Sequence, residues 1–266
     1  MQNISVKTSN RLSLWSHRDL LFAWTFRIIR ARYQQSVLGG LWAILQPAAT
    51  VLIFSVIFTR IIPIDTRGTA YVLFSFAAMV PWMFFSASIS DMVNSLVENM
   101  NLVTKIYFPR EILPLATLLA RFVDFLIAGC MLVLLMLYFR TPLFPAGWLF
   151  LPMIVTIQAA LALGLGLMGA ALNVFYRDIK HVFTLALQLW FYASPIIYPV
   201  DRVPENMRTI FFLNPMAGVI SAYRDVLLYE QLPDKTLLYS GIIAVMVLLV
   251  GYWFFKRVEF QFADVV

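Results

Sequence analysis

Gly164, Gly166 and Gly169 spell GxGxxG, a pattern that cradles a dinucleotide pyrophosphate when a strand precedes it and a helix follows. Here it lies inside a long apolar run with no strand and no βαβ unit around it, so the match is accidental. Small residues at Ala160, Gly164, Gly169, Ala170 and Ala171 suit instead a helix that approaches a neighbour closely. His17 and His181 each stand without a second ligand at metal-binding spacing, and no metal site is expected. No GxxxxGK[ST] occurs, so the chain is expected to be no enzyme and has no P-loop with which to hydrolyse ATP. What remains is charge set among apolar residues. Arg121 and Asp124 lie three residues apart within one apolar run, where they can neutralise each other or reach partner groups. Mutual pairing is favoured over substrate contact. Arg18, Arg27, Arg30 and Arg32 are mixed with aromatics and aliphatics ahead of Gly39-Gly40. A basic amphipathic helix on the membrane surface and a simple cytoplasmic anchor explain them equally well.

Aromatic side chains are the other chemical resource. Trp82, Trp148, Tyr252 and Trp253 fall near the ends of apolar runs, where an interfacial belt is the default. Phe54, Phe58, Phe74, Trp190, Phe191 and Tyr192 lie deeper. A stack of rings along a passage would suit sugars, whose C–H faces pack on aromatic rings while their hydroxyls stay hydrated. Rings packed in the core or facing lipid are the alternative.

The elements that must position these residues are membrane spans. Of 266 residues, 61% are hydrophobic and 13% charged, with mean hydropathy +0.81, far from the roughly one quarter charged of soluble domains. The net charge of +6 fits anchoring beside anionic lipid, and no basic patch suggests nucleic acid as a partner. The first 40 or so residues lack the apolar core and cleavage site of a signal peptide. Cys130 is the only cysteine, which rules out an internal disulfide. Six apolar runs, at about 41–62, 70–90, 112–139, 149–172, 182–198 and 237–255, bracket the ~20 residues that a span needs. The fifth is short and broken by Pro195 and Pro199, so a straight crossing is doubtful.

With the N-terminus inside, the cytoplasmic segments carry Lys7, Arg11, Arg18, Arg27, Arg30, Arg32, Lys105, Arg110, Arg177, Lys180, Lys256 and Arg257. The outer side carries Arg60, Arg67, Arg140, Arg202, Arg208, Arg224 and Lys235, so the bias places both termini in the cytoplasm. Residues 91–108 are longer than a connector needs, with Met92, Leu96, Met100 and Val103 at helical spacing. They predict a short amphipathic helix suited to docking, ended by Pro109. Residues 204–230 hold two apolar stretches split by Asn214-Pro215, which predicts two short helices re-entering the outer leaflet.

An ordered set of motifs spans the chain: RxRYxxSxLGxxWxxxxP from Arg30 to Pro47, FPREILPL from Phe108, YRD from Tyr176, SPIIYP from Ser194 and LNP from Leu213. The set resembles the ABC-2 type permeases, most closely the membrane subunits that export O-antigen, capsule or teichoic acid. The resemblance implies a single all-α membrane domain over residues 1–266, with six transmembrane helices. It also implies an interface helix at about 12–35, a cytoplasmic coupling helix, and outer re-entrant helices between spans five and six. It implies a homodimer in the bacterial inner membrane, two separate ATP-binding cassette subunits, and a polyprenyl-pyrophosphate-linked glycan as cargo. No cofactor is expected on this chain; ATP and Mg would sit on the partner subunits.

Under that resemblance Arg27, Arg30, Arg32 and Arg121 are candidates to meet the anionic lipid head. Phe54, Phe58, Trp190, Phe191 and Tyr192 would line the channel. Asp91, Leu96, Glu98 and Met100 would couple to the ATPase, and Asn214, Pro215 and Tyr223 would form the outer gate. An ABC-2 exporter of a drug or lipid, and a membrane enzyme acting on polyprenyl-linked sugars, are the competing readings. The enzyme would need acidic or histidine groups converging at one membrane face, a pattern the sequence lacks.

Overall fold

A computed structural model describes residues 17–34, 37–106 and 108–263, and every element of it among those residues is helical. The first helix, α1 (Arg18–Gln34), belongs to the predicted surface segment; residues 12–16 and 35 of that segment lie outside the described residues. Gly39 then takes a left-handed φ of +48°, the backbone turn that only glycine adopts without strain, and α2 (Trp42–Val56) begins. A single π turn, Ile57–Ile61, completes the first span.

α3 (Tyr71–Glu98) is the hub. Its sequence is apolar on every side, and 78% of its most apolar window is buried, against 11% for the first span. A helix apolar all round belongs inside a bundle, whereas one with a bare face needs lipid or another protein. α3 packs against α2, α5 (Ile112–Tyr138), α7 (Leu151–Phe175), α8 (Ile179–Ala193) and α10 (Pro215–Leu228). The helix does not stop near residue 90, where the docking segment was expected to begin. Met92, Val93 and Leu96 are fully buried and no breaker intervenes, so α3 runs on to Glu98. The break falls at Asn99, and only α4 (Met100–Lys105) is a separate short helix.

A single turn, α6 (Pro145–Trp148), leads into α7. The glycines of the GxGxxG match lie on packed faces of α7. A Cβ on Gly164 would stand 2.6 Å from the Val247 carbonyl oxygen of α11 (Lys235–Val258), and one on Gly251 would strike the Gly164 carbonyl. The backbones of α7 and α11 touch because neither carries a side chain there.

Among the described residues, five helical stretches are long and apolar enough to cross a membrane. α8 is not among them. At 15 residues it reaches about 22 Å, against a hydrocarbon core of about 30 Å. It ends at Ser194, one residue before Pro195, because the residue before a proline is driven out of helical conformation. Residues 194–199 continue irregularly and largely buried. α9 (Glu205–Phe211) and α10 follow, split at Asn214-Pro215 as the sequence predicts. The last described element is a 3₁₀ turn, Glu259–Ala263.

Candidate functional site

Two features share α3: a closed ring of charge at Asp91 and a groove of rings and hydroxyls along Trp82, Ser86 and Ser90. The charge ring joins three helices near one end of the bundle. Arg32 on α1 donates to Asp124 of α5 at 2.6 Å and to Asp91 of α3 at 3.0 Å. Arg121 of α5 donates to Asp91 at 2.6 Å and to Asp124 at 3.2 Å. The Tyr33 hydroxyl donates to the second Asp124 oxygen. Burial, reinforced by that carboxylate, pushes the Tyr33 phenol up to about 12, so it stays a donor. Two guanidiniums meet two carboxylates, and the set is neutral. It borders a cavity of about 230 Å³ lined also by Trp42, Gln46, Phe84 and Phe125. The expected Arg121–Asp124 pair is present, inside a larger network.

The four expected entrance cations therefore divide. Arg32 and Arg121 are spent on Asp91 and Asp124. Arg27 stacks over Trp24 at 4.3 Å and, with Arg30, lines a shallow hollow on α1. Neither has a carboxylate partner among the described residues.

The groove runs between α3 and α8 and encloses about 590 Å³. Trp82, Ser86 and Ser90 line it from α3; Thr184, Gln188 and Tyr192 line it from α8, with Phe191 beside them. Each triplet is spaced i, i+4, i+8, which puts its members on one helix face. Behind them the rings form a continuous ladder. Phe58 meets Phe54 at 6.2 Å, Phe54 meets Phe191 at 6.3 Å, Phe191 meets Trp82 at 5.8 Å, and Phe191 meets Tyr192 at 5.2 Å. These separations are the offset and edge-on contacts that aromatic pairs prefer. Phe54, Phe58, Phe191 and Tyr192 are thus brought together, with Phe191 and Tyr192 on the groove and Phe54 and Phe58 not among its lining residues. Trp190 has another duty, because its ring packs on Phe85 and its N–H donates to Asn214 Oδ1 at 2.7 Å.

Sequence reasoning placed Trp82 in an interfacial belt and passed over Ser86, Ser90, Thr184 and Gln188. The signal was there: four hydroxyl or amide residues at fourfold spacing within two apolar runs. The Thr184 hydroxyl donates back to Lys180 O at 2.8 Å, but a primary amide such as that of Gln188 would be left unsolvated on a lipid-facing stripe, so the set marks a face turned to water or protein.

The segment between α8 and α10 is tied together at Asn214. Its Oδ1 also accepts from Met216 N at 3.0 Å, capping α10, while its Nδ2 donates to Ala193 O at 3.1 Å and Ser194 Oγ at 3.0 Å. LNP thus grips SPIIYP, two motifs about twenty residues apart. Pro215 opens α10, and Tyr223 lies inside the bundle, donating to Gln158 Oε1 at 2.9 Å. Arg224, counted from sequence among the outer surface charges, is buried at 3% exposure. It donates to Pro195 O at 2.6 Å, Ile196 O at 2.8 Å and Phe74 O at 3.2 Å, and lies 3.5 Å over the Phe74 ring. Two carbonyls of the broken segment after α8, with that of Phe74 in α3, replace water around the cation.

The candidate coupling residues do not form one surface. Asp91 belongs to the charge ring, Leu96 is fully buried, Met100 is half-buried, and Glu98 is exposed. The outward side of α4 and the residue after it present Asn101, Thr104, Lys105 and Ile106.

Among the described residues the fold is an all-helical bundle with five stretches apolar and long enough to cross a membrane, broken between α8 and α10. Residues 19–228 match the family of ABC-2 type transporters, and the chain belongs to it. It is 30% identical to the O-antigen export system permease protein RfbA of Myxococcus xanthus over 255 residues, 94% of this chain and 96% of that one. It is 29% identical to the protein of the same name from Klebsiella pneumoniae, covering 93% and 95% of the two chains. The polysialic acid transport protein KpsM of Escherichia coli is 25% identical over 88% of this chain and 91% of its own length.

Proposed function

We infer that this protein is the permease subunit of an ATP-driven exporter that carries a lipid-linked polysaccharide across the bacterial inner membrane. It acts as a homodimer with two separate ATP-binding subunits, its termini in the cytoplasm. The relatives named for O-antigen and polysialic acid transport support a glycan cargo. The observation that carries the reading is the groove of Trp82, Phe191 and Tyr192 beside Ser86, Ser90, Thr184 and Gln188. Flat rings offer sugars an apolar face, and hydroxyl and amide groups exchange hydrogen bonds with a passing chain without holding any one residue. α8 buries only Leu187 among its own residues, so a second copy facing it would close the groove into a passage.

At the entrance, Arg27 and Arg30 meet the anionic lipid head, because they are the cations of α1 not committed to carboxylates. Arg32 and Arg121 hold α1 against α3 and α5. The test is surface glycan in a strain carrying the altered gene in place of its own. Trp82→Ala with Gln188→Leu lowers surface polysaccharide about tenfold or more, as expected when a stacking and a hydrogen-bonding contact are both lost, while membrane levels persist. Full surface glycan in that strain removes the groove from the transport path.

A further inference from the structure

The last described turn of the chain lies beyond the family match, which ends at residue 228, yet it is among the most tightly held parts of the bundle. Phe262 is fully buried beneath α4, in one apolar cluster with Val103 of α4, Leu96 of α3 and Val174 of α7. Its ring lies 5.6 Å from that of Phe255 and 5.9 Å from that of Phe175. The turn is also fastened by charge. Arg110, from the FPRE stretch just after α4, donates to the Glu259 carbonyl and stands 5.7 Å over the Phe262 ring. Lys256 bridges Glu111 at 2.5 Å and Glu259 at 3.2 Å, and Glu111 is only 2% exposed. The α4 segment is thereby held at two points: at Val103, which shares its cluster with Phe262, and past its exit at Arg110-Glu111 by the end of α11 and the turn.

We propose that the Glu259–Ala263 turn is a strut that seats α4 against the ATP-binding subunit, with Phe262 as the positioning residue. The proposal rests on α4 being the docking helix of the exporter. α4 has six residues and one fully buried side chain, too little to hold its own orientation under load. A rigid wedge beneath Val103 transmits a push on the exposed side to α3, α7 and α11, whereas a loose one absorbs it.

The experiment uses the permease co-expressed with its ATP-binding subunit, with a photo-crosslinking amino acid in place of Ile106, which is 55% exposed. In the otherwise unaltered protein, light joins the two subunits. Phe262→Ala reduces that crosslink and surface glycan about tenfold, the scale on which packed networks modulate coupling, while ATP hydrolysis continues; Phe262→Leu restores most of both. If Phe262→Ala does not accumulate in the membrane, Glu259→Gln, which weakens the tie of the turn to Lys256 but leaves the buried Lys256–Glu111 pair in place, carries the same expectation. No crosslink in the parent protein defeats the docking role of α4 and the strut with it. A parent crosslink that is unchanged in the variants, with full export, defeats the strut alone.

Discussion

Arg32 and Arg121 share two acceptors, Asp91 and Asp124, and this sharing decides what either can do. The Arg32 and Asp124 side chains are 23% and 15% exposed, so removing the Asp124 charge leaves two part-buried guanidiniums sharing Asp91 alone. Asp124→Asn should cost about 3 kcal/mol, the low end for a broken buried pair. The loss is read as a lower unfolding midpoint of the detergent-solubilised protein. Adding Arg32→Gln should recover part of that loss, because the second change removes one of the two guanidiniums; a double variant as unstable as the sum of the single ones would show no coupling. The i, i+3 spacing of Arg121 and Asp124 was legible in the sequence. Asp91 and Arg32 were not, because their partners lie 30 and 92 residues away. Arg224 misled for the same reason: a cation in a segment outside the spans looks solvated until the carbonyls of Pro195 and Ile196 are seen around it.

At the scale of elements, the first, third, fourth and sixth apolar runs and the two outer helices were readable from hydropathy and from Asn214-Pro215. The continuation of α3 through Asp91–Glu98 was not. Alternating buried and polar residues there look the same on a free amphipathic helix as on a span that outlasts the lipid. The joint between α8 and α10 depends on four hydrogen bonds of one side chain. Asn214→Ala removes the cap and leaves the Trp190 N–H without its acceptor, at a cost of about 2 kcal/mol. Faster hydrogen exchange in the first turn of α10 would register it, and unchanged protection there would contradict the joint. At the α7–α11 crossing, Gly164→Val forces a side chain into the Val247–Leu248 backbone. Overpacking of this kind costs at least about 1–3 kcal/mol, seen as a sharp fall in the amount of intact protein in membranes. Normal levels would mean the two helices can part.

On the scale of the whole molecule, one buried hub carries two barer walls. The first span exposes Leu52, Ile53 and Val56, and α8 exposes Val182, Leu185 and Leu189 along with the polar Thr184 and Gln188. Apolar residues on such a wall are content in lipid; the polar stripe is not, and it gives α8 a direction. Composition alone established a membrane protein and the motif set its family. The direction of α8 needed the fold, because Trp82 and Gln188 become neighbours only when α3 and α8 pack. The proposed function requires glycan to pass along that stripe. The direct measurement places a photo-crosslinking amino acid at Gln188 in cells making their polysaccharide, with a second strain carrying it at Leu249 on the outer surface of α11. Glycan attached to the protein at 188 and not at 249, and only while the ATP-binding subunit is active, is the result expected. Glycan reaching the cell surface with none captured at 188 would contradict the account.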